Sequence, residues 1–355
     1  MSTKLSAYNE LDALFTQDVM GLDDSADIRL IDAVHVIKVA QAGGTSAQVT
    51  QQSQEKELEV AGRYGADVGA DGAEEQDFYF LDAEKLRSCK LKALPAMQVL
   101  RTDPNFSGWV VRKTLTRTKA YQGEYTEEYL AVSHRWEEKD EPDPDGVQLQ
   151  AVRDFLNCEL GTASEMREAM ELTALQEKLI KRIKYVWFDF WTMPQVIDGN
   201  LRSPADMADF KRMLKNCNML YLGMKVLIVM DASYLSRFWT QFESWLSYQK
   251  ATPTGLYRTN TNIDPNDAWT WGAEAGELSV GGLGGLRSGV VPVRSADIAF
   301  EGMKLYSKLS QMSPAEISKS LKHKDVVVTN TGDKEVQLQR IQEFDAEVRR
   351  TYEKV

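Results

Sequence analysis

At 355 residues the chain is long enough for two or three domains, and 43% apolar residues are enough to bury a core of ordinary size. A formal net charge of -11 argues against general affinity for nucleic acid or an anionic membrane surface, because phosphate binding needs clustered Lys and Arg. Cys89, Cys158 and Cys217 are odd in number and widely spaced, so they are expected to be buried free thiols in a reducing compartment rather than a disulfide framework.

The opening MSTKLSAYNELDALF has no basic stretch followed by an apolar signal core, and a cytoplasmic protein is expected. Over 1–41, Leu5, Tyr8, Leu11, Phe15, Ile28, Ile31 and Val34 recur at mixed helical spacing and predict a helical segment. Residues 42–76, rich in Gly, Gln, Ala and acidic side chains without a period, predict a linker or mobile loop. Residues 77–128 lead into a core expected over 129–250.

Within that core EEYLAVS, YVWFDF and KVLIVM are short apolar runs rich in aromatic and branched residues, as strands covered on both faces require. The first two are separated by Leu149, Val152, Phe155, Leu156, Leu172, Leu175, Leu179 and Ile183 at helical spacing. The second crossover opens with Ser203-Pro204, an N-cap followed by proline at the first helical position, and carries Met207, Phe210, Met213, Leu214 and Cys217. The order βαβαβ predicts an α/β fold with a doubly wound, mostly parallel sheet and flanking helical segments. The run Met219–Met230 contains Lys225 and falls short of the roughly 20 residues of a spanning helix, so it is read as a buried strand.

Residues 251–297 read as a loop region containing GGLGGLRSG, Gly281 to Gly289. Residues 298–355 are expected to complete the fold with a helix started by the capping box Ser313-Pro314-Ala315-Glu316 and a short strand over Asp325 to Val328. An amphipathic helix from Val336 to Tyr352, with Ile341, Phe344, Val348 and Tyr352 in register, ends it.

The first strand ends in SHRWEE, the second runs into DFWTMPQ and the third into DASYLSRFWTQFE, so polar and aromatic residues gather at one edge of the sheet. Parallel sheets bind ligands at that carboxyl edge, and the three clusters are expected to form one nucleotide-handling site. If Ser236 caps the helix that follows, Phe238, Phe242, Trp245 and Leu246 form its apolar face, while Trp239, Glu243 and Ser247 line another. Glu243 is then either a site carboxylate under the strand ends or a solvated helix carboxylate near the positive end of the dipole.

Other chemistries fit less well. Ser133 and His134 are adjacent, so on a strand they point to opposite faces and make no nucleophile–base pair. EPDPDG, Glu141 to Gly146, begins like a calcium loop but has Val152 where a bidentate Glu is needed, and is expected to be a solvated acidic loop. His35, His134 and His323 are too scattered for zinc, and the glycine cluster lacks the Gly-Lys-Ser/Thr ending of a P-loop.

YLAVSHRW, YVWFDFWTMPQ and KVLIVMDASYLSRFWTQFE, in this order across Tyr129 to Lys250, resemble three blocks of Toll/interleukin receptor (TIR) domains and of the related fungal heterokaryon-incompatibility (HET) domains. The pattern Tyr, Trp five residues on, and Glu four further is met by Tyr234, Trp239 and Glu243. The Ser usual two residues before the Trp is replaced by Arg237, with Ser236 beside it, and the Cys that commonly follows the Trp is Thr240.

The resemblance implies a TIR/flavodoxin-like sheet and cleavage of the nicotinamide–ribose bond of NAD, taken as substrate with no cofactor or metal, in cell-death or immune signalling switched on by self-association. Glu243 is then the catalytic carboxylate, and Ser133, His134, Arg135, Trp136, Asp189, Trp191, Gln195, Ser236, Arg237 and Trp239 the substrate-binding set. A tryptophan would stack on a ring and Arg135 would meet the pyrophosphate. Two alternatives stand beside this reading: a non-catalytic interaction scaffold, which Arg237 favours, and a nucleoside glycosyl-transfer enzyme with an acceptor other than water.

Overall fold

The three apolar runs form the middle of a six-stranded sheet of order β2-β1-β4-β3-β5-β8, in which the strands are β1 (Glu75–Asp82), β2 (Val110–Thr116), β3 (Tyr129–His134), β4 (Tyr185–Trp187), β5 (Lys225–Met230) and β8 (Ser288–Pro292). A separate hairpin pairs β6 (Gln249–Thr252) with β7 (Gly255–Arg258). The computed structural model describes residues 74–138, 141–159, 174–196, 202–258, 288–294, 304–305, 308–328 and 331–354, all within the unit Asp67–Val355. The helical segment expected over 1–41, residues 42–73 of the linker expected over 42–76 and residues 281–287 of the glycine cluster lie outside them.

β3 pairs in parallel with β4 on one side and β5 on the other, and β5 pairs in parallel with β8. β1 is antiparallel to both β4 and β2, which makes the sheet mixed but mostly parallel. Side chains of a strand alternate between faces, and two core layers result. Ala131 of β3, Trp187 of β4 and Val226, Ile228 and Met230 of β5 face one layer, and Leu130, Val132, Val186, Leu227 and Val229 face the other.

The chain leaves β3 and β5 toward opposite layers. Helix Val147–Asn157, which follows β3, buries Leu149, Val152, Phe155 and Leu156 against Leu130 and Val132. Helix Phe238–Ser247, which follows β5, buries Phe238, Phe242, Trp245 and Leu246 in the layer of Ala131 and Ile228. The helical expectations at these residues hold, as do the Ser203 cap on helix Pro204–Asn216 and the Ser313–Glu316 capping box. Helix Thr331–Tyr352 closes the first layer with Ile341, Phe344 and Val348. It is tied down by Tyr121, which donates to Glu347 at 2.7 Å, and by Tyr352, which donates to the carbonyls of Tyr121 and Ala251.

Several expectations are corrected. The run 219–230 is not one strand: it opens with helix Asn218–Gly223, and only Lys225–Met230 is extended, because an apolar run buried on all sides satisfies either geometry and the turn at Met224 divides it. The lead-in contributes two strands, beginning at Glu75 inside the stretch expected to be linker; β8 and β7 lie in the expected loop region, and β6 straddles its start. β2 mixes Arg112 and Lys113 among its apolar residues because it is an edge strand, where charge blocks further pairing.

Asp325–Val328 forms no strand, only a single bridge from Val327 to Arg237. EPDPDG is not a solvated loop. Asp143 is buried and accepts from the backbone N–H groups of Gln148 at 3.0 Å and Leu149 at 2.7 Å, and so caps helix Val147–Asn157. Gly146 is required there, having a φ of +72° and a position at which an added Cβ would stand 2.2 Å from the Lys92 carbonyl oxygen. Cys217 is buried as expected, but Cys89 and Cys158 are only half-buried; none is in a disulfide. Among the described residues no helix is long and apolar enough to cross a membrane.

Helix Asn218–Gly223 packs on helix Arg117–Tyr121 through Gly223, where an added Cβ would stand 2.6 Å from the Ala120 carbonyl oxygen and 2.8 Å from the Ala120 Cβ. Gly223→Ala is therefore expected to force the two helices apart and destabilise the fold by about 1–3 kcal/mol, read as a lower urea midpoint with an unchanged slope.

Candidate functional site

The parallel strands run β4-β3-β5-β8 across the sheet, so the chain passes from β3 to β4 on one side and returns to β5 on the other. The ends of β3 and β5, whose following helices diverge to opposite faces, are the switch point at which such sheets form a crevice. The polar residues singled out in the sequence converge there in two groups, one on each face.

The first group surrounds Glu243. Ser133, at the end of β3, has its Oγ 2.7 Å from Glu243 Oε2 and 2.6 Å from the Tyr234 hydroxyl. Tyr234 lies in the single 3-10 turn Ala232–Ser236 after β5, and its hydroxyl is also 2.6 Å from Ser244 Oγ and donates to the Thr240 carbonyl at 3.0 Å. Ser133, Tyr234 and Ser244 are fully buried, whereas Glu243 is half-buried.

Burial pushes the Glu243 carboxyl up to about 8, with repulsion from Asp189 adding to it and hydrogen bonds from Ser133 and Tyr221 opposing it. The contact with the buried Ser133 Oγ sets aside the solvated alternative for Glu243. The same enclosure, with the charge of Glu243, raises Tyr234, Tyr221 and Cys217, the last to about 12.

The second group surrounds Asp189 on the other face. His134 Nε2 and Trp136 Nε1 lie 2.8 and 2.9 Å from its two carboxylate oxygens, and the N–H of Phe190 donates to it at 2.6 Å. The other ring nitrogen of His134 is 2.8 Å from Gln148 Oε1. Gln148 Nε2 donates to the carbonyls of Arg135 and Pro142, so its oxygen faces the ring and His134 Nδ1 is the donor. Phe188 packs edge-on against the imidazole at 4.5 Å. Ser133 and His134 thus serve opposite faces, as neighbours on a strand must, and form no hydrolase pair.

A third contact ties the strand ends together. Arg135 donates from Nε and a terminal nitrogen to Asp231 at 3.0 and 2.6 Å, and its remaining nitrogen donates to the Trp136 carbonyl. Asp231 in turn accepts from the Tyr234 N–H and caps the 3-10 turn. Arg135 is therefore a brace between β3 and β5, with its fork already occupied, and not a cation held out to a pyrophosphate.

The remaining expected residues divide. Trp239 and Trp136 are half-buried near the two groups, Trp239 perpendicular to Phe238 at 5.7 Å and Trp136 perpendicular to Phe190 at 5.4 Å. Trp191 is buried and donates to the Leu94 carbonyl, and Gln195 is buried with its amide on the carbonyls of Phe190 and Met193, so both belong to packing. Ser236 does not cap the following helix. Its hydroxyl donates to the Ser233 carbonyl, because Arg237 bridges Val327 and the Val327 carbonyl takes the N–H of Phe238 that a cap would have served. Ser247 is buried as well, bonded to the Ser244 carbonyl.

Tyr234 and Thr240 fall in a sequence motif but are not marked by it as site residues, and no pattern marks Ser244, Tyr221 or Gln148. Ser244 adjoins Glu243, but only the turn of Tyr234 under β3 joins them. Among the described residues no group of three or more His, Cys, Asp or Glu is placed to hold a metal ion. Comparison with protein-family models, curated proteins and solved structures finds no match to this chain.

A carboxyl raised in the folded state keeps its proton between its ordinary value, near 4.5, and about 8, so the stability it contributes is lost as pH rises across that window. Glu243→Gln removes the charge and keeps the shape. Thermal scans are expected to find this variant and the wild type equal near pH 5 and the variant more stable at pH 9, by roughly 2–4 °C for each kcal/mol relieved.

Proposed function

We propose that this chain is a TIR-like NAD glycohydrolase on a doubly wound, flavodoxin-like sheet, with Glu243 as the carboxylate that acts on the nicotinamide-bearing ribose. The observation that carries this reading is the position of Glu243: a carboxyl enclosed beneath the ends of β3 and β5 and held by Ser133, on a residue that is itself only half-buried. The chemistry suits a single carboxylate. Nicotinamide is cationic in NAD and departs neutral, so the leaving group needs no general acid. As the bond breaks the ribose gains oxocarbenium character, and an adjacent carboxylate in a poorly solvated site stabilises that charge more than it would in water.

Trp239, one helical turn before Glu243, and Trp136, beside Asp189, are placed to stack on the bases, and Asp189 to accept from ribose hydroxyls. A cationic nicotinamide entering beside Glu243 also favours the ionised carboxylate, so the substrate itself brings the group into its working form.

A non-catalytic scaffold is favoured by one observation: the guanidinium expected to meet the pyrophosphate is held by Asp231. Nucleoside glycosyl transfer would use the same carboxylate with an acceptor other than water.

Nicotinamide release from NAD by concentrated protein separates these readings. Wild type is expected to release nicotinamide with a kcat/KM that rises with pH through about 8, as Glu243 ionises in the free protein. Glu243→Ala and Glu243→Gln are expected to lower release by roughly 100-fold or more while remaining folded. Undiminished release in both variants, or none from wild type under conditions that promote assembly, would overturn the proposal.

A further inference from the structure

The hydroxyl groups behind Glu243 form a chain that can run in either direction, and the acceptor that Tyr234 serves decides which. A phenol carries one proton. The Tyr234 hydroxyl has three neighbours, Ser133 Oγ, Ser244 Oγ and the Thr240 carbonyl, and the carbonyl only accepts. When Tyr234 donates to Thr240, both serine hydroxyls donate to Tyr234. Ser133 Oγ, having given its proton to Tyr234, then presents a lone pair to Glu243 Oε2 at 2.7 Å. The carboxyl is then the donor in that contact, and in this direction each of the four contacts carries one proton. The opposite direction, with Ser133 donating to a carboxylate and Tyr234 to Ser133, withdraws the Tyr234 proton from the Thr240 carbonyl.

We infer that Tyr234 is a positioning residue that holds Glu243 as the neutral acid in the empty site, acting through Ser133, and that a cationic ligand reverses the chain and releases the proton. The groups facing Glu243 agree with a neutral resting state. Asp189, from the end of β4, is of like charge, and Cys217 on the helical side and Tyr234 beneath are uncharged, with Arg340 of helix Thr331–Tyr352 acting on Cys217; Tyr221, also uncharged, hydrogen-bonds to Glu243 and works the other way. Ser133, Tyr234 and Ser244 are closed off from water, so solvent does not replace a missing partner. The high pKa of Glu243 is consistent with this arrangement but does not require the chain.

The ligand class that follows is an N-glycoside with a permanently charged ring nitrogen, in preference to its neutral reduced form. This half of the inference rests on the functional reading above, whereas the resting state of Glu243 does not.

The ligand-free protein tests the resting state. The carbon-13 carboxyl resonance of Glu243, identified by its loss in Glu243→Gln, is followed against pH in wild type and in Tyr234→Phe, with unfolding at pH 5 as the check on the fold. Tyr234→Phe leaves Ser133 nothing to donate to except Glu243, which favours the carboxylate, and the midpoint is expected to fall by about one pH unit or more. If Ser133 were instead a donor strengthened by Tyr234, the midpoint would rise; a rise or no change overturns the inference.

A second measurement uses wild type alone. Binding of the carbocyclic analogue of NAD, which keeps the cationic nicotinamide and resists cleavage, is measured by calorimetry at pH 7 in buffers of different ionisation enthalpy. Release of about one proton is expected, with weaker binding and no release for the reduced dinucleotide. Tight binding without proton release overturns the inference and leaves the glycohydrolase reading standing. Absence of binding overturns the ligand class and the functional reading together, and the carboxyl titration then decides the resting state by itself.

Discussion

β3 and β5 lie side by side in parallel, buried along almost their whole length, and the chain leaves them toward opposite faces of the sheet. A strand covered on both faces has no place along it for an unpartnered polar group, so Ser133 and His134 fall at its carboxyl end, where the covering helices part. That divergence opens the crevice. It also determines which residues meet: Ser133 is handed to the layer of helix Phe238–Ser247 and His134 to the layer of helix Val147–Asn157. The Arg135–Asp231 pair, which is mostly buried, braces the same two strand ends. Removing one partner of such a pair costs roughly 3–5 kcal/mol because the other charge is left without compensation.

The two carboxyl groups at this edge are treated differently. Asp189 accepts from Trp136 and from the backbone of Phe190, fixed donors that suit a charged acceptor. Glu243 is surrounded by hydroxyls, which serve as donors or acceptors, and by the like charge of Asp189. A carboxyl among adaptable partners changes protonation at the loss of the Tyr234–Thr240 bond alone, whereas one among fixed donors resists the change. On the proposed reading this difference makes Asp189 a fixed binding group and Glu243 the responsive one.

Much of the frame was legible because periodicity reports burial. KVLIVM reads as a strand covered on both sides, Phe238, Phe242, Trp245 and Leu246 as one helical face, and Ser313 to Glu316 as a capping box, and each is so. The period of two also separates Ser133 from His134. Where pattern is ambiguous the reading failed: residues 219–223 are apolar on every side, which suits helix and strand alike, and β8 is five residues beside a glycine cluster. Asp143 looked like part of a solvated loop because nothing in EPDPDG announces the two N–H groups that it caps. Trp191 and Gln195 sat in a suggestive motif, yet their polar atoms find partners a few residues away or on Leu94.

Sequence alone determined which segments would be buried, which strand ends would carry polar and aromatic residues, and that Glu243 would lie one turn from Trp239, because these follow from spacing along one element. Tertiary structure decided the rest. Whether Glu243 faced water or Ser133 depended on how helix Phe238–Ser247 lies against β3, 110 residues earlier in the chain. Whether Arg135 was free or clasped depended on Asp231 at the end of the neighbouring strand. Periodicity specifies the face of an element, but the partner of a polar atom is specified by the packing of elements remote in sequence, and in this protein that packing sets the chemistry of the carboxyl.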